Sequence, residues 1–250
     1  MTQRIFLLVP PSEAKEHGGR RAARVGPFDV ELDALRRRVV ENLGQLLATG
    51  SLETVENLLG ARSVLLERAV DSTRRLITGD SPMLPAWRRY KGVVWTHMEP
   101  ATMSNSLRRS LLIPSGLYGV SSGTDLIADY RLKMGARIGH SGTLANFWRP
   151  HLTEVVRRHV GENVVVDLLP KEHQAALHID VLASNCQLVS VSFVLADGRT
   201  AGGHGAKAVK GVFARALLDD GIEQIASFRY KGWRVRRTVD RFLVVAPKAP

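Results

Sequence analysis

The chain has 250 residues and carries 35 Lys or Arg against 24 Asp or Glu, a formal charge of +11. That length fits one large domain or two small ones, and an apolar fraction of 44% excludes disorder for the bulk of the chain. Cys186 is the only cysteine, which excludes an internal disulfide and a secreted disulfide scaffold and favours a cytoplasmic protein.

The basic surplus can steer nucleic acid, phosphorylated ligands or an anionic surface towards the protein. The blander reading is a protein from an Arg-rich proteome, and charge says nothing about fold. The apolar run Ile5 to Val9 is too short to span a bilayer and is closed by Pro10 and Pro11, so it reads as a first strand. The following loop, Ser12 to Gly19, leaves a buried strand end, a common ligand position in α/β folds.

Asp29 to Leu47 reads as a helix with Leu32, Leu35, Val39 and Leu43 on one face. Leu52 to Leu59 and Val64 to Ile77 read as two more. Their joint, Leu58-Leu59-Gly60-Ala61, resembles half of a helix-hairpin-helix turn, although an ordinary helix joint has the same signature. Pro82 and Pro85 end this region. Val93 to Trp95 is expected to be a short strand, and Leu107 to Ile113 a strand or a helix end leading into the tight turn PSGLYG.

Thr143 to Val160 has helical periodicity, interrupted by Pro150. Val164 to Leu169 is a dense β-branched run expected to be a buried strand, and Leu188 to Leu195 is another. Cys186 reads as a small buried hydrophobe beside it. Asp197-Gly198 signals a turn, and His204 to Leu218 an amphipathic helix stopped by Gly221. Ile225 to Phe228, Trp233 to Val235 and Phe242 to Ala246 are expected to be short closing strands. With no internal repeat and no evident linker, the pattern is α/β or α+β: a single mixed-sheet domain over 1–250 with surrounding helices.

Several chemistries lack their signatures. There is no strand-to-helix GxGxxG, Walker A, HExxH or GxSxG. The eight histidines, at 17, 97, 140, 151, 159, 173, 178 and 204, have no metal-ligand spacing, and no cofactor or metal is expected. What stands out is Lys beside Gly: Lys91-Gly92 after Tyr90, Lys210-Gly211, and Lys231-Gly232 between Tyr230 and Trp233. Glycine permits close backbone approach, lysine suits phosphate, and adjacent aromatics could stack on a base. The alternative is that the aromatics anchor the core and the lysines face water.

PPSEAK, YKGVVWTHM (90–98), SGLYGV (115–120), DYRLKMG (129–135), NFW (146–148), VVVDLLPKEH (164–173), KAVKGVFAR (207–215) and FRYKGW (228–233) occur in this order across nearly the whole chain. In this combination the chain resembles the YaaA family of peroxide stress proteins. The resemblance implies a mixed α/β fold with a positively charged cleft, and DNA binding that limits oxidative damage, including damage driven by free iron. It puts a helix-hairpin-helix-like element at 52–77. Carried onto this chain, it implies that Lys15, Lys91, Tyr130, Arg131, Lys133, Lys207, Lys210, Arg215 and Lys231 line the cleft. The run from Asp167 to His173 departs from the family's pattern, keeping Glu172 but lacking its serine and tyrosine.

The leading expectation is therefore a DNA-binding protein of the oxidative stress response. The alternative is an enzyme acting on a nucleotide or nucleobase-like metabolite in the same cleft, with Glu13, Asp129 or Glu172 paired with a lysine for proton transfer. A third reading is an interaction protein whose basic surface meets an acidic partner. The binding reading makes one geometric expectation: residues 15, 91, 131, 207, 210 and 231 should meet around one groove, and their scatter over the surface would take away its physical footing.

Overall fold

The computed structural model describes residues 3–23, 26–138, 142–239 and 241–247; His140 lies outside them. Strand β1 (Ile5–Leu8) is followed by helices α1 (Asp29–Thr49), α2 (Leu52–Leu59) and α3 (Ser63–Ile77). Then come β2 (Met83–Pro85), α4 (Ala86–Arg89), α5 (Val93–Met98), α6 (Asn105–Arg109), β3 (Leu111–Ser115), β4 (Gly119–Ser122) and β5 (Leu126–Ala128). The second half runs α7 (Leu144–Val160), β6 (Val164–Asp167), α8 (Lys171–Gln174), α9 (Ile179–Ala183), β7 (Gln187–Val194), α10 (Gly203–Asp220), β8 (Arg229–Tyr230), β9 (Trp233–Arg237) and β10 (Phe242–Val245).

Eight strands form one mixed sheet in the order β4-β3-β1-β6-β7-β10-β9-β8, and β2 pairs with β5 in a separate ladder. β3, β1, β6, β7 and β10 are parallel, flanked by antiparallel β4 and by the β9–β8 ribbon. A parallel strand covered on both faces needs apolar residues at every position. Phe6, Leu7 and Leu8 of β1 and Val164, Val165 and Val166 of β6 meet that requirement, each at most 3% exposed.

Two expected strands are helical instead. Val93–Met98 forms α5, because Gly211 lets this segment lie directly on α10: a Cβ there would stand 2.3 Å from the Val94 carbonyl oxygen. A strand in this place could not follow the helix surface. Ile222–Ser227 is a 3-10 helix that buries Ile225 beneath the sheet's far edge. Pro150 sits inside α7, which continues through it to Val160. The turn PSGLYG proves to be the hinge of a β3–β4 hairpin, opened by Gly119 at φ 67°. Cys186 is buried, its Sγ donating to Leu182 O at 3.2 Å, and burial pushes its thiol pKa up.

The path of the chain across the sheet sets the position of the site. From β1 it moves to one side, to β3; it then returns past β1 to β6 and continues outwards to β7 and β10. The direction of winding reverses between β1 and β6. In open parallel sheets, the crevice beyond the carboxyl ends of strands at such a reversal is where ligands bind.

Candidate functional site

The carboxyl end of β1 runs into Pro10-Pro11, which cannot extend the ladder, and then into the loop 12–16 over the crevice. That loop is held in place by the segment 89–91, of which Arg89 and Tyr90 are buried. Glu16 N donates to Arg89 O (2.8 Å), and Lys91 N donates to Ala14 O (2.9 Å), so that Lys15 faces Tyr90 across an isolated bridge. Arg89 is fully buried, and its guanidinium donates to the carbonyls of Glu16, Pro82 (2.7 Å) and Ile127 (3.3 Å). Gly92 lets the loop close, since a Cβ there would fall 2.2 Å from Ser12 Oγ.

Lys15 is the centre of the site. Its Nζ donates to Ser12 O at 2.8 Å and stands 4.2 Å from the Tyr130 ring centroid and 5.5 Å from that of Tyr90. The two tyrosine hydroxyls lie 2.7 Å apart. Lys15 makes no ion pair among the described residues. Burial lowers its pKa to about 7; Asp129 and Glu13 oppose the shift, and Arg131 and Arg89 add to it. A lysine near neutrality at physiological pH is suited to proton transfer or nucleophilic attack.

Two recesses meet at this side chain. One, of about 490 Å³, is lined by Glu13, Lys15, Leu65, Arg68, Ser72, Asp129, Tyr130 and Arg131, among others. The other, of about 150 Å³, adds Ser12, Lys133, Glu172 and His173. Their lining is of mixed charge rather than uniformly basic: Lys15, Arg68, Arg131 and Lys133 stand against Glu13, Asp129 and Glu172. Most of these are paired. Arg131 reaches Glu13 at 2.7 Å and also donates to the carbonyls of Leu59 (3.0 Å) and Gly60 (3.0 Å), tying the carboxyl end of α2 to the groove. Lys133 approaches the same Glu13 at 3.5 Å. Arg68 pairs with Asp129 at 3.1 Å, and Glu172 accepts from Gly135 N at 2.8 Å.

Lys210 lies below the end of β6. Its Nζ donates to Leu168 O at 2.7 Å, and burial lowers its pKa to about 8, with Asp167 opposing. Asp167 is itself buried, which raises its carboxyl pKa. It accepts from Leu169 N (2.9 Å) and Gln174 Nε2 (2.7 Å). Burial lowers the pKa of His173, and its Nδ1 has no hydrogen-bond partner among the described residues.

The structure therefore gathers Glu13, Lys15, Asp129, Tyr130, Arg131, Lys133 and Glu172 around one groove, with Lys210 beneath it. The other expected members lie elsewhere. Lys91 turns to Glu16 at 2.7 Å, on the far side of the loop. Lys207 is exposed on α10, and Arg215 is bound to Asp219 and Thr102 Oγ1, both at 2.5 Å. Lys231 and Gly232, with φ 46° and 80°, form the two-residue turn between β8 and β9, at the opposite end of the sheet. The three Lys-Gly pairs thus share a spelling but serve three geometries: a close loop, a helix crossing and a hairpin. Tyr90 and Trp95 are at most 2% exposed, so neither presents a ring for stacking.

Arg68, Ser72, Arg89 and His173 belong to the site or support it, yet were not among the expected site residues. The first two sit on the groove side of α3, beside Leu65 and Ala69, at helical spacing. Among the described residues, no cluster of three or more His, Cys, Asp or Glu could hold a metal, and no helix is long and apolar enough to cross a membrane.

A second cluster of cations lies on the β8–β9 ribbon. Arg229 of β8 lies opposite Arg234 of β9, with Arg236 on the same face, Lys231 in the connecting turn and Arg237 on the other face of the ribbon, all exposed. None of these five makes an ion pair among the described residues. Like charges directly across a ladder are destabilising unless something else neutralises them.

Comparison with known proteins gives the chain its relatives. The family model described as Peroxide stress protein YaaA matches residues 5–238. A UPF0246 protein of Streptomyces coelicolor is 32% identical over 245 residues, covering 92% of each chain. One from Corynebacterium glutamicum is 30% identical over 225 residues, covering 85% of this chain and 84% of its own. The chain belongs to the YaaA (UPF0246) family of peroxide stress proteins.

Proposed function

We propose that this protein acts in peroxide defence by binding DNA in the cytoplasm, limiting oxidative, iron-driven damage, and that its Lys15 groove accepts one nucleotide-sized unit rather than a duplex. The observation that carries the DNA reading is the set of exposed cations on β8, β9 and their turn that make no ion pair among the described residues, which has the character of a phosphate-tracking surface. The groove is too small and too evenly charged to hold a duplex, but about 490 Å³ suits a single nucleotide. A nucleotide turned out of its stack would supply such a unit. The helical hairpin α2–α3 borders this groove through Arg131, which supports a DNA-facing role for it.

The test is a salt titration of affinity for a labelled duplex. Tight binding at low salt should weaken steeply as salt rises, and the double variant Arg234→Ala/Arg236→Ala should reduce the log–log slope by about 2. Affinity that does not change with salt would overturn the reading.

The near-neutral Lys15 beside Asp129 favours a second reading, an enzyme acting on a free nucleotide or nucleobase-like metabolite in the same groove. Binding of mononucleotides that is abolished by Lys15→Ala, with no measurable duplex binding by the wild-type protein, would favour it over the first.

A further inference from the structure

We propose that Lys15 is a nucleophile that forms a Schiff base with the aldehyde of a phosphorylated sugar seated in the groove. The proposal rests on the groove being a nucleotide-unit site and names the chemistry that such a site performs.

The surroundings of Lys15 are wrong for simple phosphate holding. An ammonium that serves as a phosphate contact is kept in water; Lys133 and Lys207 are exposed in this way. Lys15 instead lies against two tyrosine rings and makes no ion pair among the described residues; the Asp129 and Glu13 carboxylates nearby favour its charged form, the guanidinium groups of Arg131 and Arg89 oppose it, and burial outweighs them all. Desolvation and a nearby cation are the two devices that activate lysine towards carbonyls. One N–H is used on Ser12 O, which fixes the head of the side chain at the meeting point of both recesses. Arg68, Arg131 and Lys133 on the same lining supply positive charge for a phosphate.

The step is balanced without a redox partner. The Nζ lone pair forms a bond to the aldehyde carbon and one N–H proton moves to the oxygen, giving a carbinolamine. Loss of that oxygen as water, with the second N–H proton, leaves the imine. Hydrolysis reverses it. Such an aldehyde has two sources, a sugar that has lost its base within a DNA strand or a free aldose phosphate.

The experiment incubates the wild-type protein with sodium cyanoborohydride and one of two probes, a duplex oligonucleotide carrying a single abasic site or ribose 5-phosphate. Intact mass and peptide mapping locate the reduced adduct. With a pKa of about 7, Lys15 is half unprotonated at neutral pH. An exposed lysine is unprotonated at roughly one part in a few thousand, so labelling should favour Lys15 by at least about tenfold. Lys15→Arg should abolish the adduct, and Lys207→Arg should leave it. Reaction with the oligonucleotide alone assigns the aldehyde to DNA, and reaction with ribose 5-phosphate alone assigns it to a metabolite.

No adduct, or one scattered over exposed lysines and unaffected by Lys15→Arg, overturns the proposal. The wild-type pH profile gives a second readout that needs no variant: adduct formation at Lys15 should level off above pH 8, and a rate still climbing beyond pH 9 overturns it as well. Preference for the same duplex with its abasic sugar reduced over the intact duplex, measured without reductant, reports on the groove, because the β8–β9 cations meet both duplexes alike. Such a preference without any adduct removes the chemistry and leaves the nucleotide-unit reading intact; no preference and no adduct removes both.

Discussion

Replacing Lys15 by Met keeps the length of the side chain and removes its charge. The wild-type lysine has a pKa of about 7 in the folded protein against an ordinary 10.5. Between these values the unfolded chain holds a proton that the folded one has released, so wild-type stability rises with pH across this window. Below pH 7 both states are protonated and the full cost of burying the ammonium is present. Linkage across the two pKa values gives a cost of about 5 kcal/mol at pH 6 and about 2 kcal/mol at pH 9. Lys15→Met escapes this term but loses the bond to Ser12 O, which is worth about 1.5–3 kcal/mol when charge-assisted. The variant's advantage over wild type should therefore shrink by about 2–3 kcal/mol between pH 6 and pH 9, whatever its absolute value, because every other titration is common to both proteins. Urea unfolding at the two pH values measures the difference directly. A stability gap that is the same at both would show that Lys15 is not desolvated, and the argument for its reactivity would go with it.

Gly211→Ala forces a Cβ into the Val94 carbonyl at the α5–α10 crossing. Overpacking of this kind costs about 1–3 kcal/mol and should lower the melting temperature by several degrees in a chain of this size. Arg131→Ala leaves the last carbonyls of α2 without their donor and removes a partner from Glu13. It should cost about 2–3 kcal/mol by urea unfolding, and amide exchange should rise in α2 more than in α10.

The sequence made the framework legible because its strongest patterns coincide with elements buried on both faces. The β-branched run 164–167 and the apolar run 5–8 had no alternative to central parallel strands, and Leu32, Val39 and Leu43 fixed the inner face of α1. Val93 to Trp95 misled because three apolar residues satisfy either period. A tertiary fact, the approach of Gly211, decided for helix. Of the site, the loop 12–16 and the stretch 129–133 could be read, since a strand end and a run of alternating charge mark them. What stayed hidden was pairing. Nothing local says that Lys91 gives its charge to Glu16 or that Arg215 also reaches Thr102, whereas the pair Arg215–Asp219, four residues apart on one helix, was there to be read. Arg68 and Arg89 were invisible for the converse reason: each is one arginine among many until the fold brings Asp129 and Pro82 to it.

The strand order also acts as a ruler. β6, which ends at the groove, and β9, which carries Arg234 and Arg236, are separated by β7 and β10 in one hydrogen-bonded sheet. Three strand spacings of about 4.8 Å fix the lateral span at about 14 Å. At 3.4 Å per stacked step this is the rise of about four nucleotides. The sheet cannot stretch to suit a ligand, so a nucleic acid engaging both surfaces at once has a minimum footprint set by the protein. Oligonucleotides shorter than about four residues would reach one surface or the other, but not both.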